Sequence, residues 1–71
     1  MQIAQLATDI GNILDESERL CQATPTDVNA AKDCRDRILG LIEMADAVGY
    51  SPTLAVRNLE AVKDELGDKI G

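Results

Sequence analysis

The sequence predicts an all-α fold, a small antiparallel three-helix bundle that forms one domain over residues 1–71. The chain has no Phe, no Trp and a single Tyr, so its core must be built from aliphatic side chains. No stretch alternates apolar and polar residues for long, as a half-buried strand would. Two proline-containing segments, ATPTD and GYSPT, separate three stretches of helical periodicity. Short connections between consecutive helices favour antiparallel packing.

The first helix is predicted over residues 2–22, because apolar residues recur there at intervals of three and four. This stripe consists of Ile3, Leu6, Ala7, Ile10, Ile13, Leu14, Leu20 and Cys21. Ser17 interrupts it. Gly11 costs about 1 kcal/mol relative to Ala inside a helix, so we expect it to let a neighbouring helix approach closely.

The second helix is predicted over residues 25–48, with Thr24 as N-cap, Pro25 at the first helical position and Asp27 in the first turn. Its apolar stripe is Val28, Ala31, Cys34, Ile38, Leu41, Ile42, Ala45 and Val48. Leu39 and Met44 widen the apolar sector to roughly 200°, whereas one neighbouring helix needs only ~100°. Either two helices cover this sector or another subunit does, and we expect a homo-oligomer.

The third helix is predicted over residues 52–69. Gly49 supplies the left-handed residue that ends the second helix, Ser51 the N-cap hydroxyl and Pro52 the first turn. The predicted core positions are Ala55, Leu59, Val62, Leu66 and Ile70.

The formal net charge of −6 comes from 13 acidic and 7 basic residues spread along the chain. Such a surface repels a phosphate backbone, and without Phe or Trp it cannot stack bases in the usual way. We therefore expect no direct nucleic-acid binding and favour a basic partner protein. No stretch approaches the ~20 apolar residues of a membrane span, and no basic leader precedes an apolar run. These features predict a cytoplasmic protein without membrane association, in which Cys21 and Cys34 are reduced.

The segment SPTLAVRNLEAVKDELG resembles the helix that follows the modified serine of acyl and peptidyl carrier proteins, which are also small, acidic and helical. The resemblance implies a covalently modified Ser51. In those carriers a Leu usually follows the serine, whereas Pro52 follows it here. A capping serine uses its oxygen to accept from backbone N–H groups, so we interpret Ser51 as the start of a helix.

Carboxylates in DESE (residues 15–18) and EMAD (residues 43–46) resemble the acidic helical motifs of all-α nucleotide pyrophosphohydrolases, which imply Mg²⁺ bound by oxygen ligands on facing helices. With a turn near Thr24, the two motifs lie far apart within one chain. Lys32 and Arg35 should instead lie opposite Asp15 and Glu16 as surface ion pairs. The absence of His removes the usual general base. We expect no enzymatic activity, cofactor or metal.

These observations predict a small acidic protein–protein interaction module, an inhibitor or adaptor that acts on a basic, nucleic-acid-binding surface of its partner. The residues predicted to form its interface are Leu39, Ile42, Glu43, Met44 and Asp46. The alternative is an oligomeric binder of a small ligand or nucleotide with sites at subunit junctions. The ligand-binding residues in that case would be Arg35, Arg37, Tyr50 and Arg57.

Overall fold

Three helices pack against one another in the computed structural model, which describes residues 2–71 and the burial of side chains from Ile3 onward. Helix α1 spans Gln2–Gln22, α2 spans Val28–Ala47 and α3 spans Leu54–Ile70. Within residues 2–71 there is no β-strand, and each helix contacts both others. The bundle measures 38 × 18 × 17 Å. Since a 20-residue helix is about 30 Å long, consecutive helices must reverse direction, as the short connections predict.

The core is aliphatic and receives side chains from all three helices. Its buried apolar residues are Leu6, Ile10 and Ile13 of α1, Ala31, Cys34, Ile38 and Ala45 of α2, and Val56, Leu59 and Leu66 of α3. Val56 is the one member that lies outside the predicted stripes. Ile3, Ala7 and Val28 belong to the predicted stripes but are exposed. The 3.6-residue period therefore predicts the centre of each apolar stripe better than its ends.

Ser17 is fully buried within the apolar stripe that it was expected to interrupt. Its Oγ donates a hydrogen bond to Cys34 Sγ at 3.6 Å, which joins α1 to α2. A buried hydroxyl without a partner costs about 1–3 kcal/mol, and the thiol accepts this hydrogen bond. Cys34 thus combines two roles, as a core side chain and as the acceptor for a polar neighbour.

The predicted start of α2 is wrong by three residues. Asp27, not Thr24, is the N-cap, and its carboxylate accepts a hydrogen bond from Ala30 N at 3.1 Å. Pro25 lies in the connection between α1 and α2 rather than at the first helical position. The carboxylate of Asp27 reaches the backbone N–H three residues ahead as an N-cap side chain should, so the helix begins at Val28.

The predicted start of α3 is also displaced. Thr53, not Ser51, is the N-cap, and its hydroxyl accepts from Val56 N at 3.3 Å. Ser51 and Pro52 form a turn before the helix. Two candidate caps stand close together in SPT, and the one whose oxygen meets a first-turn N–H starts the helix.

The end of α2 follows the prediction. Gly49 has a φ of 78°, the left-handed conformation that glycine adopts without strain. Gly49 N donates to Asp46 O at 3.2 Å, and Tyr50 N donates to Ala45 O at 2.7 Å. These two bonds form a Schellman motif. The Tyr50 side chain packs against the core cluster that contains Ala45, which supplies the apolar contact that accompanies this motif.

The register between α1 and α2 differs from the predicted one, because the partner of Glu16 lies two residues beyond Arg35 and five beyond Lys32. Glu16 pairs with Arg37, at 2.8 Å between Oε2 and Nη2, and not with Lys32 or Arg35. Arg35 instead approaches Asp36 at 3.8 Å. Residues 23–27 form a connection longer than the turn expected near Thr24, so residues further along α2 reach the level of Glu16.

Gly11 does not serve the close helix approach that its position suggested. A Cβ placed on Gly11 would meet no atom within 4 Å, and the same holds for Gly40 and Gly67. Packing within the chain therefore requires none of these three helical glycines.

Candidate functional site

Acidic side chains outnumber basic ones by 13 to 7, and within residues 2–71 most of the acids form no ion pair. Four of the thirteen acids form ion pairs with a Lys or Arg, namely Glu16, Asp33, Asp36 and Asp64. Among residues 2–71 the other nine have no basic side chain within 4 Å. No helix in that range combines the length and apolar character that crossing a membrane requires.

From Asp36 onward, α2 exposes apolar and acidic side chains side by side. We call this surface the α2 outer face; it consists of Asp36, Leu39, Gly40, Glu43, Met44 and Ala47, all of which are exposed. Leu39 is 41% and Met44 52% exposed. At about 100° per residue these two side chains lie about 140° apart around the helix axis. Asp36, Gly40, Glu43 and Ala47 lie between them, so the centre of this face carries two small residues and two carboxylates.

A groove between α1 and α2 begins at one edge of this face. Its volume is about 490 Å³. Ile13 and Leu41 lie at its bottom, since the first is buried and the second half-buried, while Gly40 and Met44 line its α2 side. Its polar lining comprises Asp9, Asn12, Glu16 and Arg37. The groove thus has an apolar base and a polar edge with two carboxylates, one amide and one guanidinium.

Arg37 is the one basic side chain in this groove lining, and acids already hold it. Its Nη2 donates to Glu16 Oε2 at 2.8 Å, and its Nε lies 3.2 Å from Asp33 Oδ2. Nη2 also approaches Cys34 Sγ at 3.7 Å. The hydrogen bond to Glu16 raises the pKa of Arg37 above its ordinary value, helped by the charges of Glu16 and Asp33. Arg37 therefore stays protonated and does not offer a free cation.

The five predicted interface residues divide between two sides of α2. Leu39 is three residues from Ile42 and four from Glu43, and Asp46 is four and three residues from the same two, so the four form one stripe. Ile42 is half-buried and packs against the core, whereas Glu43 and Asp46 are exposed. Met44 lies apart from this stripe and lines the α1–α2 groove. Leu39, Glu43 and Met44 belong to the α2 outer face, whereas Ile42 and Asp46 lie beside it.

The four residues predicted to bind a ligand do not converge within one chain. Arg35 and Arg37 are two residues apart on α2, so their side chains leave the helix about 160° apart. Tyr50 lies in the connection to α3, and Arg57 is exposed in the first turn of α3. Each arginine of α2 is also within 4 Å of a carboxylate.

A second groove, of about 500 Å³, lies between α1 and α3 and contains Cys21. Cys21 and Cys34 are both free thiols. Partial burial raises the pKa of the Cys21 thiol, and the negative charge of Glu65 raises it further. Cys21 is thus mainly a neutral thiol at physiological pH. The groove is also lined by Glu18 and Glu65, and the large apolar side chains among its described lining residues are half-buried.

The two carboxylate motifs lie at different levels of the bundle. Glu16 is level with Arg37, and Glu43 lies six residues further along α2, a rise of about 9 Å. Within residues 2–71 no three Cys, Asp or Glu side chains are grouped closely enough to hold a metal ion.

Comparison of the chain with protein-family models, with curated proteins and with solved structures found no significant match.

Two parts of this surface were missed by the sequence reasoning. Gly40 was not singled out, although a glycine between Leu39 and Leu41 inside a helix is a signal in itself. Asp9 was not singled out either. Its place at the groove depends on the register of α1 against α2, which no short motif encodes.

Proposed function

We propose that this protein is a small, non-enzymatic interaction module that binds a basic partner protein through the α2 outer face. The observation that carries the proposal is the combination of exposed Leu39 and Met44 with Glu43, which has no cation nearby within residues 2–71. Exposed apolar side chains supply the area that a partner can bury. Carboxylates without a local cation attract Lys and Arg and speed up association.

The partner surface that fits best is one that otherwise binds nucleic acid. Such surfaces carry clustered Lys and Arg, and an acidic helical protein with a net charge of −6 can cover them. The module would then act as an inhibitor or adaptor that competes with the nucleic acid. Two free cysteines fit a reducing compartment, and we accordingly expect the cytoplasm.

Self-association would use the same apolar side chains. Two copies that meet through Leu39 and Met44 also bring their Asp36, Glu43 and Asp46 carboxylates together, and like charges repel. We therefore expect the homo-oligomer predicted from the sequence to form when salt screens these charges, and a basic partner to replace the second copy at low salt.

Capture from an extract of the source organism tests the function. The immobilised protein should retain proteins with a basic domain of pI above about 9, which duplex nucleic acid displaces. The paired change Glu43→Gln with Asp46→Asn should weaken capture. Its matched control, Asp15→Asn with Asp68→Asn, removes the same charge from exposed positions of α1 and α3 and should leave capture intact. Equal retention by both double variants, or a retained set without basic character, contradicts the proposal.

A further inference from the structure

We infer that the α1–α2 groove is the docking site for one basic amphipathic helix of the partner, with an apolar side chain inserted beside Met44. This inference rests on the proposed function and adds the place and the shape of the contact. Helix-in-groove recognition needs an apolar channel about one side chain deep, which anchors spaced at three and four residues can enter.

Side chains of the right kind line this groove. Ile13 and Leu41 give it an apolar base, and Met44 is more than half exposed at its wall. Methionine is unbranched and polarizable, so it adapts to a partner side chain at small cost. About 490 Å³ of open space lies above these residues, which is enough for anchoring side chains to enter.

Gly40 makes the α2 side of the groove low. A glycine inside a helix is less stable than an alanine, and no neighbour in the chain requires it, because a Cβ there would meet nothing within 4 Å. Gly11 is equally unconstrained but does not line the groove. Among the helical glycines of residues 2–71, Gly40 is the one beside two exposed large apolar side chains, Leu39 and Met44, so a helix that crosses there can approach the α2 backbone.

The charges around the groove select a basic occupant. Asp9 at the groove and Glu43 beside it have no basic side chain of residues 2–71 within 4 Å, while Arg37 is held by Glu16 and Asp33. The Asp9 carboxylate accepts a hydrogen bond from the neutral Gln5 amide, at 2.9 Å. Lysines or arginines on both sides of an incoming helix would therefore meet free carboxylates. A second copy of this acidic chain would instead meet like charges.

A binding experiment with a defined probe tests the site. The probe is a synthetic helix of about 14 residues made of Leu and Lys, with Leu at intervals of three and four. Its affinity is measured at low salt for the wild-type chain and for Gly40→Gln, which fills the groove, and Gly11→Gln, which makes the same change elsewhere. We expect Gly40→Gln to weaken binding by about tenfold or more and Gly11→Gln to change it by less than about twofold. Both variants should keep their helical circular dichroism and melt no lower than the wild type, because glutamine is the better helix former.

A second variant and a second probe distinguish a failure of the docking groove from a failure of the proposed function. Met44→Ser removes the exposed wall of the groove without touching the core, and should weaken binding of the Leu–Lys helix several-fold. A probe with Ser at every Leu position should bind much more weakly to all variants. Equal binding of the Leu–Lys helix to the wild type, Gly40→Gln and Met44→Ser would overturn the groove as the docking site. The proposed function would still stand if capture from the extract depends on Glu43 and Asp46. Loss of that capture as well would overturn both.

Discussion

Ser17 Oγ lies 3.6 Å from Cys34 Sγ, and both side chains are fully buried where α1 crosses α2. A hydroxyl in an aliphatic core needs an acceptor, and here a small, polarizable thiol fills that role. The pair fixes one point in the register of the two helices that form the candidate docking groove.

This pair predicts a coupling between two core substitutions. Cys34→Ala leaves the Ser17 hydroxyl without its acceptor and opens space, so we expect a loss of about 1–3 kcal/mol in the free energy of unfolding. Ser17→Ala should lower the free energy of unfolding less in the Cys34→Ala background than in the wild type. In that background the Ser17 hydroxyl has already lost its acceptor. Urea unfolding of the four chains in this double-mutant cycle gives the coupling. Equal costs of Ser17→Ala in both backgrounds would mean that the hydrogen bond contributes nothing.

The displaced helix starts predict which polar side chains act as caps. Thr53→Ala and Asp27→Ala should each destabilise the fold by about 0.5–2 kcal/mol, since each removes the acceptor for a first-turn N–H. Ser51→Ala and Thr24→Ala, the matched changes at the positions expected from the sequence, should stay within about 0.5 kcal/mol. Thermal melts of the four variants decide between the two sets of caps, and a larger loss at Ser51 than at Thr53 would restore the original assignment.

The glycines should respond to alanine with opposite signs. Gly11→Ala and Gly40→Ala should each stabilise the protein by about 0.5–1 kcal/mol, because both positions are helical and a Cβ meets no neighbour. Gly49→Ala should destabilise it by about 1 kcal/mol, since its φ of 78° strains any residue with a Cβ. Chemical denaturation measures all three. A gain in stability for Gly49→Ala would show that the left-handed cap is absent in solution.

The raised pKa of the Cys21 thiol leads us to expect a decline in stability at alkaline pH. Its pKa is raised in the folded protein, so the folded state binds the thiol proton more tightly than the unfolded chain does. The stabilising effect is complete below the pKa of an unfolded cysteine, about 8.5, and is lost as the pH rises through the higher folded value. Cys21→Ala should flatten this part of the pH profile of unfolding. An unchanged profile would mean that the thiol titrates alike in both states.

Self-association should depend on salt and on two side chains. We expect sedimentation to detect mainly single chains at low salt and a shift towards larger particles at about 1 M salt, where the Debye length falls to ~3 Å. Leu39→Glu combined with Met44→Glu should remain a folded single chain under both conditions. Particles that grow at low salt, or that persist in the double variant, would contradict an assembly through this face.

The sequence carries the number of helices and most of the core, because a 3.6-residue period follows from burying one side of a helix. The sequence does not identify the first residue of a helix where several capping residues stand together, as in ATPTD and SPT. Moving the start of α2 from Pro25 to Val28 shifts its register against α1, so Glu16 reaches Arg37 instead of Arg35.

The sequence showed that the apolar sector of α2 is wide, but not which surface its outer side chains form. Leu39 and Met44 both lie beyond the half of the helix that the core covers, and their spacing alone does not say that a groove begins at Met44. The groove arises from two features that act together, the absent side chain at Gly40 and the position of Asp9 on the facing helix. Only the assembled bundle brings them to one place.

The most direct test of the docking surface is an NMR titration of the isotope-labelled protein with the Leu–Lys helix. We expect the chemical-shift changes to concentrate at Asp9, Asn12, Gly40, Leu41 and Met44, and to diminish in Gly40→Gln. Changes centred on Leu14, Ala61 and Val62 would place the helix in the α1–α3 groove and contradict docking beside Met44.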